Sequence, residues 1–208
     1  MVMDNDSLIK NIIFDIGNVL VKWSPHDVIK YSFGNDVGIE DHINNIFKND
    51  IWTMLNLGKL TEKQAIDLYC EKLPYSNAQM VKIFENIKNT QTLIDGSIAM
   101  LIALYKKKYK LFALSDNIVK VVAYLKEKYN FWDYFLGVVI SADIGLMKPN
   151  KNIFDYLLRK YNLNANETLF IDDHMPNIQS ARNLNLKAIN FIDINQCLNE
   201  LSMYGIQI

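Results

Sequence analysis

Five short apolar runs constrain the fold of this chain more than any other feature. They cover residues 11–14, 111–114, 138–140, 168–171 and 188–191. Most are apolar at every position instead of alternating with polar residues. This pattern is typical of strands that are buried on both faces of a parallel sheet, because helices cover each face. The runs therefore predict the strands of a parallel sheet.

Helical patterns lie between the later runs, at residues 97–107, 117–129, 153–161 and 176–184. The last of these has Pro176 in its first turn, where proline is favoured. Strands that alternate with helices are typical of a doubly wound α/β domain. We therefore predict an α/β fold with a mostly parallel, Rossmann-type sheet.

Residues 24–90 show a different pattern, because they contain no convincing strand run. Helical patterns occur near residues 27–32, 40–47, 61–72 and 77–87. Thr61 followed by Gln64 resembles a capping box. The simplest architecture inserts an all-helical unit after the first strand. The predicted division is a core domain of residues 1–23 and 91–208, and a helical cap domain of residues 24–90.

The composition is that of an ordinary globular protein. The chain has 208 residues, half of them apolar, and a net charge of −1, which gives no reason to expect a nucleic acid partner. Its apolar stretches are too short to cross a bilayer, and residues 1–10 are too polar for a signal peptide. Cys70 and Cys197 are typical of free thiols in a reducing cytosol. We expect a cytoplasmic monomer or homodimer with no membrane partner.

Polar and charged residues follow the predicted strands where the strands end. In chain order they are Asp15, Ser115, Asp116, Lys148, Asp172 and Asp173. Each alone has an ordinary explanation as a turn residue, a helix cap or a surface lysine. In an open α/β sheet, however, ligands collect at the carboxyl ends of the strands. Adjacent buried carboxylates need a compensating cation, and hard oxygen ligands suit Mg²⁺.

The order of these motifs resembles the haloacid dehalogenase-like (HAD) superfamily. FDIGNVL is similar to its first motif, LSDN to its second, MKP to its third and FIDDHMPN to its fourth. The resemblance covers essentially the whole chain, including a helical cap after the first motif. It implies a Mg²⁺-dependent phosphatase that hydrolyses a small phosphorylated metabolite through an aspartyl-phosphate.

The resemblance also implies a role for each site residue. The implied catalytic residues are the nucleophile Asp15, together with Ser115 and Lys148. The implied phosphate-binding residues are Gly17, Asn18, Ser115, Asp116 and Lys148. The implied Mg²⁺ ligands are Asp15, the backbone carbonyl of Gly17, Asp172 and Asp173. The chemistry is consistent, because a carboxylate nucleophile splits one difficult transfer into two easier ones.

Gly17 departs from the pattern of most phosphatases in this family, which carry a second aspartate two residues after the nucleophile. That aspartate acts as general acid and base, a contribution of about 10²–10⁴-fold. FDIGNVLV and LGKLTEKQ are similar to a subgroup whose first motif reads D-x-G-N and which includes an enzyme acting on α-D-glucose 1-phosphate. Asn18 and His174 are candidates for a partial substitute.

Three functions stay open at this point. The first is a phosphatase of the D-x-G-N subgroup. The second is a 2-haloacid dehalogenase, whose nucleophile attacks carbon without a metal, and the third is a catalytically weak binding protein. The acidic pair Asp172 and Asp173 favours the phosphatase, because a dehalogenase needs no cation. The large residues Trp23, Trp52 and Met54 are more typical of core positions than of substrate contacts.

Overall fold

The protein is an α/β structure built on one five-stranded parallel sheet with the order β3-β2-β1-β4-β5. The computed structural model describes residues 8–34 and 38–208. The strands are β1 (Asn11–Phe14), β2 (Lys110–Ser115), β3 (Gly137–Ile140), β4 (Thr168–Asp172) and β5 (Lys187–Asn190). Each strand coincides with a predicted apolar run, so the predicted α/β fold class is confirmed.

Six helices lie between β1 and β2 in the described part of the chain. They are α1 (Pro25–Phe33), α2 (Ile39–Phe47), α3 (Asp50–Asn56), α4 (Glu62–Lys72), α5 (Asn77–Asn89) and α6 (Ser97–Lys106). Later helices are α7 (Val119–Lys128), α8 (Ser141–Ile144), α9 (Lys151–Lys160), α10 (Met175–Arg182) and α11 (Ile194–Met203), with short 3-10 helices at Phe131–Tyr134 and Ala165–Glu167. The sequence patterns do not predict α3, α8 or α11. Among the described helices, none is long and apolar enough to cross a membrane.

The division into a core domain and a cap domain stays a prediction. Residues 1–7 of the predicted core and residues 35–37 of the predicted cap lie outside the described residues. The predicted capping box is present at the start of α4, where the Gln64 side chain accepts from Thr61 N at 2.9 Å and Thr61 Oγ1 accepts from Gln64 N at 3.3 Å. These bonds satisfy backbone groups that a helix start leaves unpaired.

The central strand β1 is buried on both faces. Ile12 and Phe14 pack into one apolar cluster, whereas Ile13 packs into a second cluster. All three side chains are at most 1% exposed. Successive side chains of a strand point to opposite faces, so a strand covered on both sides must be apolar at every position. This explains the continuous apolar runs of the sequence.

Strand order brings distant parts of the chain to one edge of the sheet. Phe14 of β1 pairs with Ala113 of β2 on one side and with Ile171 of β4 on the other. Asp15 N then donates to the Ile171 carbonyl at 2.9 Å, which extends the β1–β4 ladder by one bond. The chain adds strands on one side of β1 and then on the other, and a crevice for ligands forms at such a switch point.

The turn after α3 packs against α8. Gly58 has a φ of +67°, and a Cβ atom at this position would overlap the carbonyl group of Ala142. Beside it, Ser141 Oγ donates to the Asn56 carbonyl at 2.7 Å and accepts from Asn117 N at 3.0 Å. The end of α3 is therefore joined to the loop after β2 through one buried hydroxyl, and the close approach admits only glycine.

We expect Gly58→Ala to lower the free energy of unfolding more than Gly34→Ala does. Gly34 also has a positive φ, +88°, but a Cβ atom there would meet nothing within 4 Å. Gly34→Ala therefore reports backbone strain alone, about 1–3 kcal/mol, whereas Gly58→Ala adds steric overlap with Ala142. Urea denaturation of both variants measures the difference. Equal losses would show that the Ala142 contact has no energetic consequence.

Candidate active site

A cavity of about 300 Å³ lies at the carboxyl ends of the strands. Residues that follow β1, β2 and β4 line it, among them Asp15, Asp116 and Asp173. Side chains from the helical segment between β1 and β2 complete the wall, among them Trp23 and Trp52. The volume is at the lower end of the range of about 300–1,000 Å³ that small-molecule sites occupy. The cavity therefore suits a small ligand.

A buried ammonium group joins the ends of three strands. Lys148 Nζ lies 3.0 Å from Asp15 Oδ2 and 2.7 Å from Asp172 Oδ2, and it donates to the Leu114 carbonyl at 3.1 Å. The Lys148 side chain is 1% exposed. Removing an ammonium from water is costly unless opposite charges and hydrogen bonds compensate it. The two carboxylates provide that compensation. Burial alone would lower the pKa of Lys148, but the negative charges of Asp15, Asp172 and Asp116 outweigh it and raise the pKa above its usual range.

Asp172 is completely buried, and its carboxylate is held by several donors. Asn177 Nδ2 donates to both carboxylate oxygens, at 3.0 and 3.1 Å, and His174 N donates to Oδ1 at 2.8 Å. These donors lie at the start of α10 and lock the orientation of the carboxylate. The sequence analysis assigns no role to Asn177. Its place in the first turn after the acidic pair is the signal that could have identified it.

Three carboxylates converge on one point. Asp15, Asp172 and Asp173 each place a carboxylate oxygen within 4.8 Å of the others. Burial, together with the charges of Asp172 and Asp173, raises the pKa of Asp15 to about 8 against the opposing effect of Lys148. Burial likewise raises the pKa of Asp173. One lysine thus does not balance the charge of these acids, and three hard oxygen donors fit Mg²⁺.

Asn18 connects the loop after β1 to the acidic pair. Its side-chain amide donates to Asp173 Oδ2 at 3.0 Å, and its side-chain oxygen accepts from Trp23 N at 2.8 Å. Asn18 has a φ of +52°, a conformation that asparagine adopts more readily than most residues. Asn18 and Gly17 both line the cavity. The structure therefore brings the residues of the D-x-G-N motif together with the fourth motif.

The second motif contributes Asp116 to the cavity, but Ser115 is not among the lining residues. Asp116 Oδ1 accepts from Lys148 N at 3.1 Å, so it holds the loop that carries the lysine. Burial raises the pKa of Asp116 to about 6, against the opposing effect of Lys148. Ser115 is buried at the last position of β2. The catalytic and phosphate-binding roles of these residues stay predictions.

Two tryptophans belong to the cavity wall, where the sequence analysis favoured core positions. Trp23 and Trp52 are half-buried and pack against the apolar core, as Met54 does, but the two tryptophans also line the cavity. Trp23 follows Asp15 by only eight residues, which was the available signal for its position. No comparable signal marks Trp52, because its place depends on how α3 packs. His174 is exposed and also lines the cavity.

The structure combines a parallel sheet with carboxylates and a buried lysine at the carboxyl ends of its strands. This combination is typical of a class of α/β hydrolases with an aspartate directly after the first strand. Residues 12–191 match the family of haloacid dehalogenase-like hydrolases. The chain belongs to this family.

Relatives of known activity span nearly the whole chain. A sesquiterpene phosphatase from Aspergillus oryzae is 21% identical over 94% of this chain and 97% of its own length. A D-ribitol-5-phosphate phosphatase from Bacteroides thetaiotaomicron is 25% identical over 87% of this chain and 91% of its own length.

Solved structures share the fold. A HAD family enzyme from Bacteroides thetaiotaomicron, in complex with magnesium and inorganic phosphate, superposes with a TM-score of 0.74 at 21% identity, over 89% of this chain and 95% of its own. An L-2-haloacid dehalogenase from Xanthobacter autotrophicus superposes with a TM-score of 0.64 at 14% identity, over 96% of this chain and 85% of its own. Similarity at these identities shows the fold and does not distinguish the two chemistries.

Without divalent cations, we expect the effect of Asp15→Asn on stability to be more favourable at pH 8 than at pH 5. The pKa of Asp15 is raised to about 8 in the folded protein, whereas an unfolded aspartate has a pKa of about 4. As pH rises between these values, the unfolded chain releases the Asp15 proton that the folded protein keeps, so the free energy of unfolding falls. Asparagine has no such proton and removes this dependence on pH. Thermal melting in EDTA measures the effect, with Asp67→Asn on the exposed surface of α4 as the control. The prediction is contradicted if the melting temperature of the variant, relative to that of the wild type, does not rise between pH 5 and pH 8.

Proposed function

We propose that this protein is a Mg²⁺-dependent phosphatase that hydrolyses a small phosphorylated metabolite in the cytoplasm, as a monomer or homodimer. The observation that carries the proposal is the convergence of Asp15, Asp172 and Asp173 within 4.8 Å, beside a buried lysine that contacts two of them. The relatives that act on phosphate esters, and the related structure that holds magnesium and phosphate, support it.

The proposed nucleophile is Asp15. Its carboxylate attacks phosphorus, the bond to the leaving group breaks, and the resulting aspartyl-phosphate is hydrolysed by water. Lys148, 3.0 Å from Asp15 Oδ2, neutralises negative charge as the phosphoryl group approaches the carboxylate. Asn177 and the backbone at His174 keep the neighbouring Asp172 in one orientation. Such preorganised charges need no rearrangement during the reaction.

The proposed Mg²⁺ ligands are Asp15, the backbone carbonyl of Gly17, Asp172 and Asp173. When bound, Mg²⁺ supplies positive charge that stabilises the transferring phosphoryl group. Asn18 keeps Asp173 in place through the bond from its amide to Asp173 Oδ2.

The proposed phosphate-binding residues include Gly17, Asn18 and Asp116, which line the cavity, together with Ser115 and Lys148. Asp116 also holds Lys148 N, so it positions the lysine whatever its protonation state.

Gly17 points to esters whose leaving group departs easily. The cavity lacks an aspartate at this position, so help from a general acid is reduced. The leaving groups of sugar 1-phosphates, acyl phosphates and aryl phosphates depart more easily than those of simple alkyl phosphates. The similarity of FDIGNVLV to the D-x-G-N subgroup is consistent with a sugar 1-phosphate as the substrate.

A panel of phosphorylated metabolites assayed with Mg²⁺ and with EDTA tests the proposed function. We expect phosphate release in Mg²⁺, loss of nearly all release in EDTA, and no turnover by Asp15→Asn under either condition. Halide release from 2-chloropropionate, without a need for metal, would instead identify a dehalogenase. Release of neither phosphate nor halide would favour a binding protein. Circular dichroism of Asp15→Asn checks that the variant is folded.

A second test compares glucose 1-phosphate with glucose 6-phosphate in the wild type and in Gly17→Asp. A Cβ atom at Gly17 would lie 3.7 Å from Trp23 Cβ, an ordinary contact, so the backbone accommodates a side chain there. We expect the wild type to have a higher kcat/KM for the 1-phosphate. Gly17→Asp, which supplies an acid, should raise kcat/KM for the 6-phosphate by more than for the 1-phosphate, within the range of about 10²–10⁴-fold. A wild-type preference for the 6-phosphate would contradict the argument from leaving groups.

A further inference from the structure

Part of the cavity wall is a pair of stacked indoles. The rings of Trp23 and Trp52 are parallel to within 3°, and their centroids are 5.8 Å apart. Phe47 packs edge-on against both, with centroids 5.5 Å from Trp23 and 5.1 Å from Trp52. Edge-to-face contacts of this kind favour one arrangement of the rings. The three rings therefore form a fixed aromatic cluster, and its two indoles line the cavity.

The indole pair is tied to the loop that carries Asp15. Trp23 N donates to the side-chain oxygen of Asn18, and the amide of Asn18 donates to Asp173. A ligand that packs on the indoles is therefore held at a defined distance from the carboxylates. Indole rings carry no positive charge to balance that of a phosphate, so their place in the wall suits a different part of the ligand.

Two buried amides lie in the same wall. Asn56 and Gln91 are 4% and 3% exposed and line the cavity. Their N–H groups donate to backbone carbonyls, that of Trp52 at 2.9 Å and that of Ile87 at 3.0 Å. Within residues 8–34 and 38–208, no group donates a hydrogen bond to either side-chain oxygen. Both oxygens are therefore available to accept hydrogen bonds from hydroxyl groups of a ligand.

We propose that Trp23, Trp52, Asn56 and Gln91 form a leaving-group subsite that selects a hydroxylated ring, such as that of a sugar. This proposal rests on the proposed phosphatase function and adds the residues that determine specificity. The C–H face of a sugar ring packs on the indoles, and its hydroxyl groups donate to the amide oxygens. An isoprenyl chain is apolar and could pack on the indoles, but it has no hydroxyl group to donate to the amide oxygens. A site built to hydrogen-bond hydroxyl groups disfavours a ligand that lacks them.

The first experiment separates the leaving-group subsite from the phosphoryl-transfer residues. Acetyl phosphate has neither a ring nor hydroxyl groups, so it reports phosphoryl transfer with little contribution from the subsite. We expect Trp52→Leu to lower the ratio of kcat/KM for glucose 1-phosphate to that for acetyl phosphate by about tenfold. Trp52→Phe, which keeps a flat aromatic face, should recover most of the ratio. Trp132→Leu removes a half-buried indole that does not line the cavity, and it should leave the ratio unchanged.

The second experiment tests the amides. Gln91→Met keeps the length of the side chain but removes the acceptor oxygen, together with the amide N–H that donates to the Ile87 carbonyl. We expect the wild type to prefer glucose 1-phosphate over geranyl phosphate, and Gln91→Met to reduce this preference about tenfold. Thermal melting confirms that each variant is folded.

The outcomes distinguish the two proposals. Hydrolysis of acetyl phosphate by the wild type, with ratios unchanged in Trp52→Leu and Gln91→Met, would overturn the subsite and leave the phosphatase function intact. A wild-type preference for geranyl phosphate would also overturn the selection of a hydroxylated ring. If the wild type releases phosphate from none of these three compounds, the phosphatase function is overturned, and the subsite with it.

Discussion

The buried ammonium of Lys148 is the interaction on which the arrangement of the active site depends. It contacts Asp15, Asp172 and the carbonyl of Leu114, so it joins residues at the ends of β1, β4 and β2. Removing one partner of such a buried network leaves an uncompensated charge, which is strongly unfavourable. The same network is also short of positive charge, since Asp173 lies beside the other two acids. Because this shortage of positive charge lies at a cavity, the site favours the binding of a divalent cation.

The sheet topology makes this network possible. β1 is central, and β2 and β4 flank it, although more than 90 residues separate β1 from β2 along the chain. Parallel strands place all their carboxyl ends at one edge, so each strand contributes its following residues to the same cavity. Ser141 adds a connection from this edge to the helices between β1 and β2, because its hydroxyl bonds both Asn56 and Asn117. Residues of α3 can then complete a cavity whose charged groups come from the sheet.

The two parts of the cavity have different chemistry. The strand ends supply charged groups that suit a phosphoryl group and a cation, whereas the helical segment supplies the indoles and amides. Gly17 lies between them, next to the backbone that leads to Trp23. The family resemblance implies an aspartate at this position, and glycine provides no acid. Under the proposed function, the nature of the leaving group therefore gains importance for the rate. The proposed subsite is consistent with this, because it places recognition on the group that departs.

The sequence alone determined the strands, the parallel sheet and the residues at the strand ends. Continuous apolar runs and the carboxylates that follow them are local patterns. Tertiary structure alone decided that Trp52 and Gln91 line the cavity, that Asn177 holds Asp172, and that Ser115 lies outside the lining. The seven-residue helix α3 is too short to show a clear period in the sequence. These features depend on packing between segments far apart along the chain, and no local pattern encodes which side chains such packing brings together.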